Sequence, residues 1–487
     1  MKYISLQFRY ALCTLLIITG IASCTDLDTK PLGSAVEGDL SVGGFEAQAF
    51  GLYGQLRTTA VSDWTRYWFQ SIRSDDAAKG SSSTDQAEQE NAFDKFNYSK
   101  TSFLNGNNWN DHYKVIFACN DLLDAIEKSG LTDSGTMINK AEAKAIRGFL
   151  YFDLRRDYGE VPLIEKKVMV PSDGIKAKST IAEVDAFIKS DLEFASQTLP
   201  PTWLSYPGRA TKGFADAMLA KLYLYQGENA LSLAKSQEVI DSGVYNLEPS
   251  FRKLFSLEGN NSIESIFEVQ QLVTVSGQNF SNIYFVSQGV RGSGVWDLGW
   301  GFNVPTPALV DAFESGDPRK GETILTSGED DGGYGSGALP SSPPLDQLYW
   351  NKKAYTEASV RLKFGQKQNN WENIKIIRFA DVLLMAAEAT VKTGGDATEY
   401  LERVRVRARG GSVTVLPKIT NPTLENIKQE RRVEFGMENE RFYDLVRWGD
   451  APSVLGGFGY QAKNALYPIP QTAIDQSQGV LIQNPNY

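Results

Sequence analysis

A chain of 487 residues, 42% of them hydrophobic, is long enough to bury about three quarters of its unfolded surface, so it can be held by its own core. Its 59 acidic residues outnumber 49 basic ones, a balance that excludes nucleic acid and anionic lipid as direct partners. One histidine, His112, excludes a two-histidine metal site and strains any Ser/His/Asp arrangement within the chain.

The chain opens with Lys2 and Arg9 around an apolar start, then an uncharged run over residues 10–23. That run is too short to span a bilayer and reads as a signal peptide, residues 1–23. Ile21-Ala22-Ser23-Cys24 resembles the lipobox cut by lipoprotein signal peptidase, which makes Cys24 the first mature residue and a lipid anchor. Acyl chains on its thiol and amine would enter the membrane at about 0.8 kcal/mol per methylene. Cleavage removes Lys2 and Arg9 and takes the formal net charge from −10 to −12. Of three cysteines, Cys13 leaves with the peptide and Cys24 is acylated. Cys119 remains alone, without a disulfide partner, and reads as a buried small apolar residue. No later apolar run approaches spanning length, so contact with the membrane is expected through the anchor only.

Residues 24–38 are polar and read as a lipidated tether, and helical patterning follows over an N-terminal region, residues 39–261. Phe45, Ala49, Leu52, Tyr53 and Leu56 recur at helical spacing, as do Trp109, Tyr113, Ile116, Asn120, Leu123 and Ile126 before Gly130. A third helix follows from Ile138 to Gly159, and a fourth over residues 181–199 stops at Pro200 and Pro201. Between Arg209 and Leu247, small residues at Ala215, Ala217 and Ala220 face a helix that Gly227 breaks, and a returning helix closes at Gly243. This is the unit of tetratricopeptide-like repeats, here with irregular spacing. The predicted fold is therefore mainly α, a bundle of divergent helix pairs.

Residues 262–487 make the C-terminal region, expected to pack on the first as one body. From Ser262 to Lys375 the helical period is lost. Residues 263–269 and 358–364 read as strands in a loop-rich, partly β excursion full of Gly, Pro and aromatic residues. Excursions of this kind are commonly functional. Helices resume over residues 376–389, 398–408, 423–434 and 438–448.

The motifs of chemistry are thin. No nucleophile elbow, dinucleotide fingerprint or Walker loop is found, so no cofactor is called for and no catalytic residue is assigned. His112 reads as a packing or hydrogen-bonding residue. The visible carboxylate pairs are Asp75-Asp76 and Asp330-Asp331, each open to three readings: a hydrolytic pair, calcium ligands or loop solvation.

Glu430-Arg431-Arg432-Val433-Glu434-Phe435, then Glu440-Arg441-Phe442-Tyr443-Asp444-Leu445-Val446-Arg447-Trp448-Gly449, resembles the C-terminal signature of the RagB/SusD family. Tyr467-Pro468-Ile469-Pro470, Ile474-Asp475 and Gln483-Asn484-Pro485-Asn486-Tyr487 follow in the family's order. Supporting segments lie at residues 142–147, 158–164, 208–211, 317–319 and 378–388. The interleaved charges read as structural pairs that tie the last helices to the bundle. The resemblance implies a SusD-like fold and a non-catalytic, nutrient-binding lipoprotein of the outer membrane facing the cell exterior. It also implies a SusC-like TonB-dependent transporter as partner and an oligosaccharide as ligand. A peptide ligand, or an envelope glycoside hydrolase, is the alternative.

Sugars present flat apolar faces that stack on indole and phenol rings while their hydroxyls bond Asp, Asn and Arg. Two segments combine those residues. The first holds Trp64, Trp68, Arg73, Asp75 and Asp76, and the second Tyr284, Arg291, Trp296 and Trp300. Gly289, Gly292, Gly294 and Gly299 leave little to bury an indole, so Trp296 is expected to be the stacking platform. Trp300, before Gly301 in a turn, is expected to be more structural.

Overall fold

The computed structural model describes residues 44–341, 345 and 347–487; the signal peptide, Cys24 and the tether lie outside the described residues. Ten principal helices carry the fold: α1 Glu46–Thr58, α2 Phe103–Ser129, α3 Ser134–Tyr158, α4 Ile181–Thr198, α5 Lys212–Gln226, α6 Asn229–Asp241, α7 Phe379–Lys392, α8 Thr398–Arg409, α9 Leu424–Glu434 and α10 Arg441–Trp448. Their ends follow local chemistry. The Asp133 carboxylate accepts from Thr136 N to start α3, Thr180 and Glu183 form a capping box on α4, and Thr211 and Thr423 cap α5 and α9. Gly130, Gly227 and Gly449 close α2, α5 and α10 in the left-handed conformation.

Each helix from α2 to α7 packs on the next, α1 leans on α2 and α3, and α9 packs on α7. The alanine faces explain the closeness. Ala215, Ala217 and Ala220 on α5, and Ala380, Ala386, Ala387 and Ala389 on α7, are all fully buried. Although 137 residues separate them in sequence, α7 stacks directly on α6. The stack thus resumes where the excursion left it, and the fold is mainly α with few short strands.

Two antiparallel strands clasp the base of the excursion: β2 Ser265–Val269 pairs with β8 Ile374–Arg378. Within it, β3 Leu272–Val273 pairs with β4 Asn279–Phe280 and β6 Ile324–Thr326 with β7 Tyr349–Asn351, while β5 Phe302–Pro305 pairs with β1 Ala77–Gly80 from the N-terminal half. Two expectations are corrected here. Residues 358–364 form a helix, Ala358–Phe364, because Gly365 at φ +64° caps it; the alternating Val360, Leu362 and Phe364 mimic a strand, yet Leu362 points into solvent. Ile376 and Ile377 belong to β8. The helix starts only at Phe379, whose N–H is taken by Glu264 O at 2.8 Å.

One large core joins helices from both halves, and a separate cluster of Val290, Trp296, Leu298, Val304, Leu325, Tyr334, Leu339, Trp350 and Tyr355 holds the excursion together. Cys119 is fully buried, and burial pushes its thiol up to about 12. His112 is buried on α2, with Nδ1 2.7 Å from Asn108 O and Nε2 3.9 Å from Asp153.

The signature charges bind the C-terminal helices to the stack. Arg66, Asp153, Arg156, Glu440, Lys221, Asp381, Arg431, Asp444, Arg447 and Glu388 form an unbroken ion-paired line through α3, α5, α7, α9 and α10. A second knot centres on Glu434, fully buried, which meets Arg319, Arg378 and Arg407.

Candidate functional site

The first segment follows α1 as one α-helical turn, Thr65–Tyr67, running into a π turn, Trp68–Ile72. It directs most of its side chains inward. Trp68 is fully buried among Phe93, Tyr67 and Phe302. Arg73 is fully buried too; its guanidinium lies 3.8 Å from the Phe442 ring and 4.2 Å from that of Tyr467 and donates to Asp157 at 3.1 Å. Asp75 accepts from Arg441 Nε at 2.8 Å and Arg432 Nη2 at 2.8 Å, and Asp76 from Arg432 Nε at 2.8 Å. The Asp75-Asp76 pair is therefore the anchor point of the C-terminal signature, and its arginines occupy it. Among the five candidates of this segment, Trp64 is half-buried where the others are buried, one side of it packing on the main core.

The second segment divides differently from expectation. Trp296 is 5% exposed and stacks on Tyr355 with ring centres 5.8 Å apart at 17°, inside the excursion's own core. Tyr284 is 6% exposed, and its hydroxyl accepts from Asn439 Nδ2 at 2.8 Å. Two of the glycines, Gly289 and Gly299, serve instead to let backbones cross. A β-carbon on Gly299 would overlap Val286 O and the Gly289 backbone, and one on Gly289 would overlap the Leu298 carbonyl. Chain crossing at that distance leaves the cluster behind it to enclose Trp296.

Trp300 is 41% exposed. Its N–H donates to Val286 O at 3.1 Å, and Gly301, at φ +78°, donates to Gly289 O at 2.9 Å, so the turn is tied on both sides. The Trp300 ring meets Trp64 edge to face at 6.4 Å. Gly301 O also accepts from Ser81 N at 2.6 Å, which brings the polar loop after β1 alongside. There Arg291 pairs with Asp85 and donates to Ser81 Oγ at 2.8 Å. The Arg291 guanidinium beside Asp85 pulls its carboxyl down to about 2, so the pair is charged at neutral pH.

The structure thus brings Trp64, Trp300 and Arg291 onto one open face and adds Ser81 and Asp85, which sequence reading had not singled out. The sole local hint was the polar run Ser81-Ser82-Ser83-Thr84-Asp85, and the pairing partner lies 206 residues away. The face is flat. An open cleft of about 1040 Å³ lies elsewhere, along α8 between Glu399, Arg403, Val406 and Lys418, and includes none of these residues. A stacking platform needs exposed ring area rather than an enclosing pocket. Asp331 of the other carboxylate pair accepts from Tyr334 N at 2.9 Å, Ser336 N at 2.7 Å and the Tyr355 hydroxyl at 2.9 Å. It organises its own loop.

A tetratricopeptide-like stack interrupted by a clasped, loop-built excursion defines a class of helical scaffold on which loops present a binding face. Two family models match this chain: "SusD family" over residues 263–465, and "Starch-binding associating with outer membrane" over residues 56–224. The chain belongs to the SusD family. It is 26% identical to SusD-like protein P2 of Formosa agariphila across 98% of this chain and all of that one. Starch-binding protein SusD of Bacteroides thetaiotaomicron is 23% identical over 76% of each chain. Among solved structures, a laminarin-binding SusD-like protein superposes with a TM-score of 0.75 at 29% identity, covering 91% of this chain and 98% of that one.

Proposed function

We propose that this protein is a surface lipoprotein, acylated at Cys24, that binds an oligosaccharide without cleaving it and delivers it to a SusC-like TonB-dependent transporter in the outer membrane. The observation that carries the ligand reading is the face formed by Trp300, Trp64, Ser81, Asp85 and Arg291. The exposed Trp300 indole offers a stacking surface, Trp64 braces it edge-on, and the charged pair offers donors and acceptors to sugar hydroxyls at its rim. Modest affinity suffices, since an anchored receptor beside its transporter works at high local concentration. The relative described as laminarin-binding makes a β-linked glucan the first ligand to try.

Calorimetry of the folded protein against laminarin oligosaccharides and a wider glycan panel tests this. Saturable binding with no new reducing ends on long incubation supports the reading. Release of reducing ends would replace it with an enzyme. Copurification of a large barrel protein with the tagged chain tests the delivery role.

A further inference from the structure

An exposed leucine on a rigid stem is an unusual surface feature, and one stands where the N-terminal segment enters the fold. In the loop between α4 and α5, Leu204 is 105% exposed and Tyr206 61% exposed, with Trp203 half-buried between them and the body. The stem is firmly built. Trp203 Nε1 donates to Ala210 O at 2.8 Å, the Arg209 guanidinium covers the Trp203 ring at 3.8 Å, and Arg209 is held by Glu142 at 2.8 and 2.7 Å. The first helix lies against the same stem. Glu46 accepts from Arg209 at 2.8 Å, and Phe50 meets Tyr206 edge to face at 5.1 Å. Gly44 sits beside Leu131, itself 49% exposed. The chain therefore leaves the body next to an apolar tip.

We infer that the loop carrying Trp203, Leu204 and Tyr206 is a membrane contact that dips into the bilayer interface and sets the orientation of the anchored body. The inference rests on acylation at Cys24. Twenty residue steps separate Cys24 from Gly44, a reach of at most about 70 Å when fully extended, so the anchor alone fixes distance and leaves orientation free. An aliphatic tip flanked by an indole and a phenol has the composition that settles at the boundary between headgroups and acyl chains. With a net acidic body, the contact is apolar and needs no anionic lipid. Because the anchor already holds the loop near the surface, one leucine and two rings are enough to bias the pose.

The test uses the acylated full-length protein in phosphatidylcholine vesicles with an environment-sensitive fluorophore on Leu204→Cys, on Tyr206→Cys and, as a control, on Val413→Cys. Val413 is 94% exposed in the loop after α8. Cys119 is buried and unreactive, so the introduced thiol alone takes the label, and circular dichroism confirms the fold. Expected are blue-shifted emission and quenching by doxyl phospholipid at 204 and 206, with neither at 413. Protein that floats with vesicles while the 204 and 206 labels remain in water overturns the loop contact. Shielding of those labels in native envelopes but not on vesicles assigns the loop to a protein partner and likewise overturns it. Protein that does not float overturns the anchor and this inference together.

Discussion

Trp296 and Trp300 lie four residues apart and experience opposite environments, and that difference decides what each substitution does. Trp300→Ala removes an exposed ring whose backbone is tied independently by Val286 and Gly289. Affinity for the bound glycan should fall about tenfold, on the order of 1–2 kcal/mol, with the melting temperature unchanged. Trp296→Ala leaves a hole against Tyr355 and Trp350 in a small core, and should cost about 3–5 kcal/mol of stability. Calorimetry and thermal melts on both variants separate the roles; loss of binding without loss of stability in Trp296→Ala would contradict this assignment. Glycine-rich surroundings announce irregular backbone, but they cannot tell whether the indole lies above or below the crossing. That information resides in Trp350 and Tyr355, more than fifty residues downstream.

At the scale of elements, the helices were legible because their signals are local: apolar stripes, side-chain caps and terminal glycines all sit within a turn or two of the boundary they set. The correction at residues 358–364 marks the limit, since a two-turn segment is too short for periodicity to discriminate. The charged signature was legible as structural, but its partners were not. Arg432 reaches Asp75 and Asp76, and Glu434 reaches Arg319, Arg378 and Arg407, all on distant segments. Burial pushes the Glu434 carboxyl up, yet the three arginines outweigh it and hold the group well below the usual range. Glu434→Gln would leave those guanidinium groups short of counter-charge in a dry site, so a loss of about 3–5 kcal/mol is expected, seen as a lowered urea midpoint. Gly299→Ala acts on the other element that matters, the turn under Trp300. Its new β-carbon would collide with Val286 O and the Gly289 backbone on the facing segment, so glycan binding should weaken together with the melting temperature.

For the molecule as a whole, two populations of buried carboxylates set stability against pH in opposite directions. Asp153, Asp381, Glu388 and Glu434 are buried, which raises them, but arginine and lysine partners prevail and hold all four far below their unfolded values. Such groups contribute stability that is fully present above the unfolded carboxylate range and is lost as pH falls below about 4 to 5. Asp94 and Glu372 are the reverse. Burial lifts both to about 7, against a bond from Lys79 N to Asp94 and the nearby Lys375 charge at Glu372. Between the unfolded value near 4 and the folded value near 7 the native state holds protons that the unfolded chain has released, so their contribution declines as pH rises through that window. The melting temperature should therefore peak at about pH 5, dropping steeply on the acid side and gently toward pH 7. Glu372→Gln and Asp94→Asn remove two of the groups behind the gentle limb, to which Asp63, Asp76 and Asp157, also raised by burial, add, and leave the arginine-paired set intact. Melts of the double variant from pH 4 to 8 should be flatter than wild type above pH 5 and unchanged in their acid collapse; a limb that keeps its slope would show that other groups govern it.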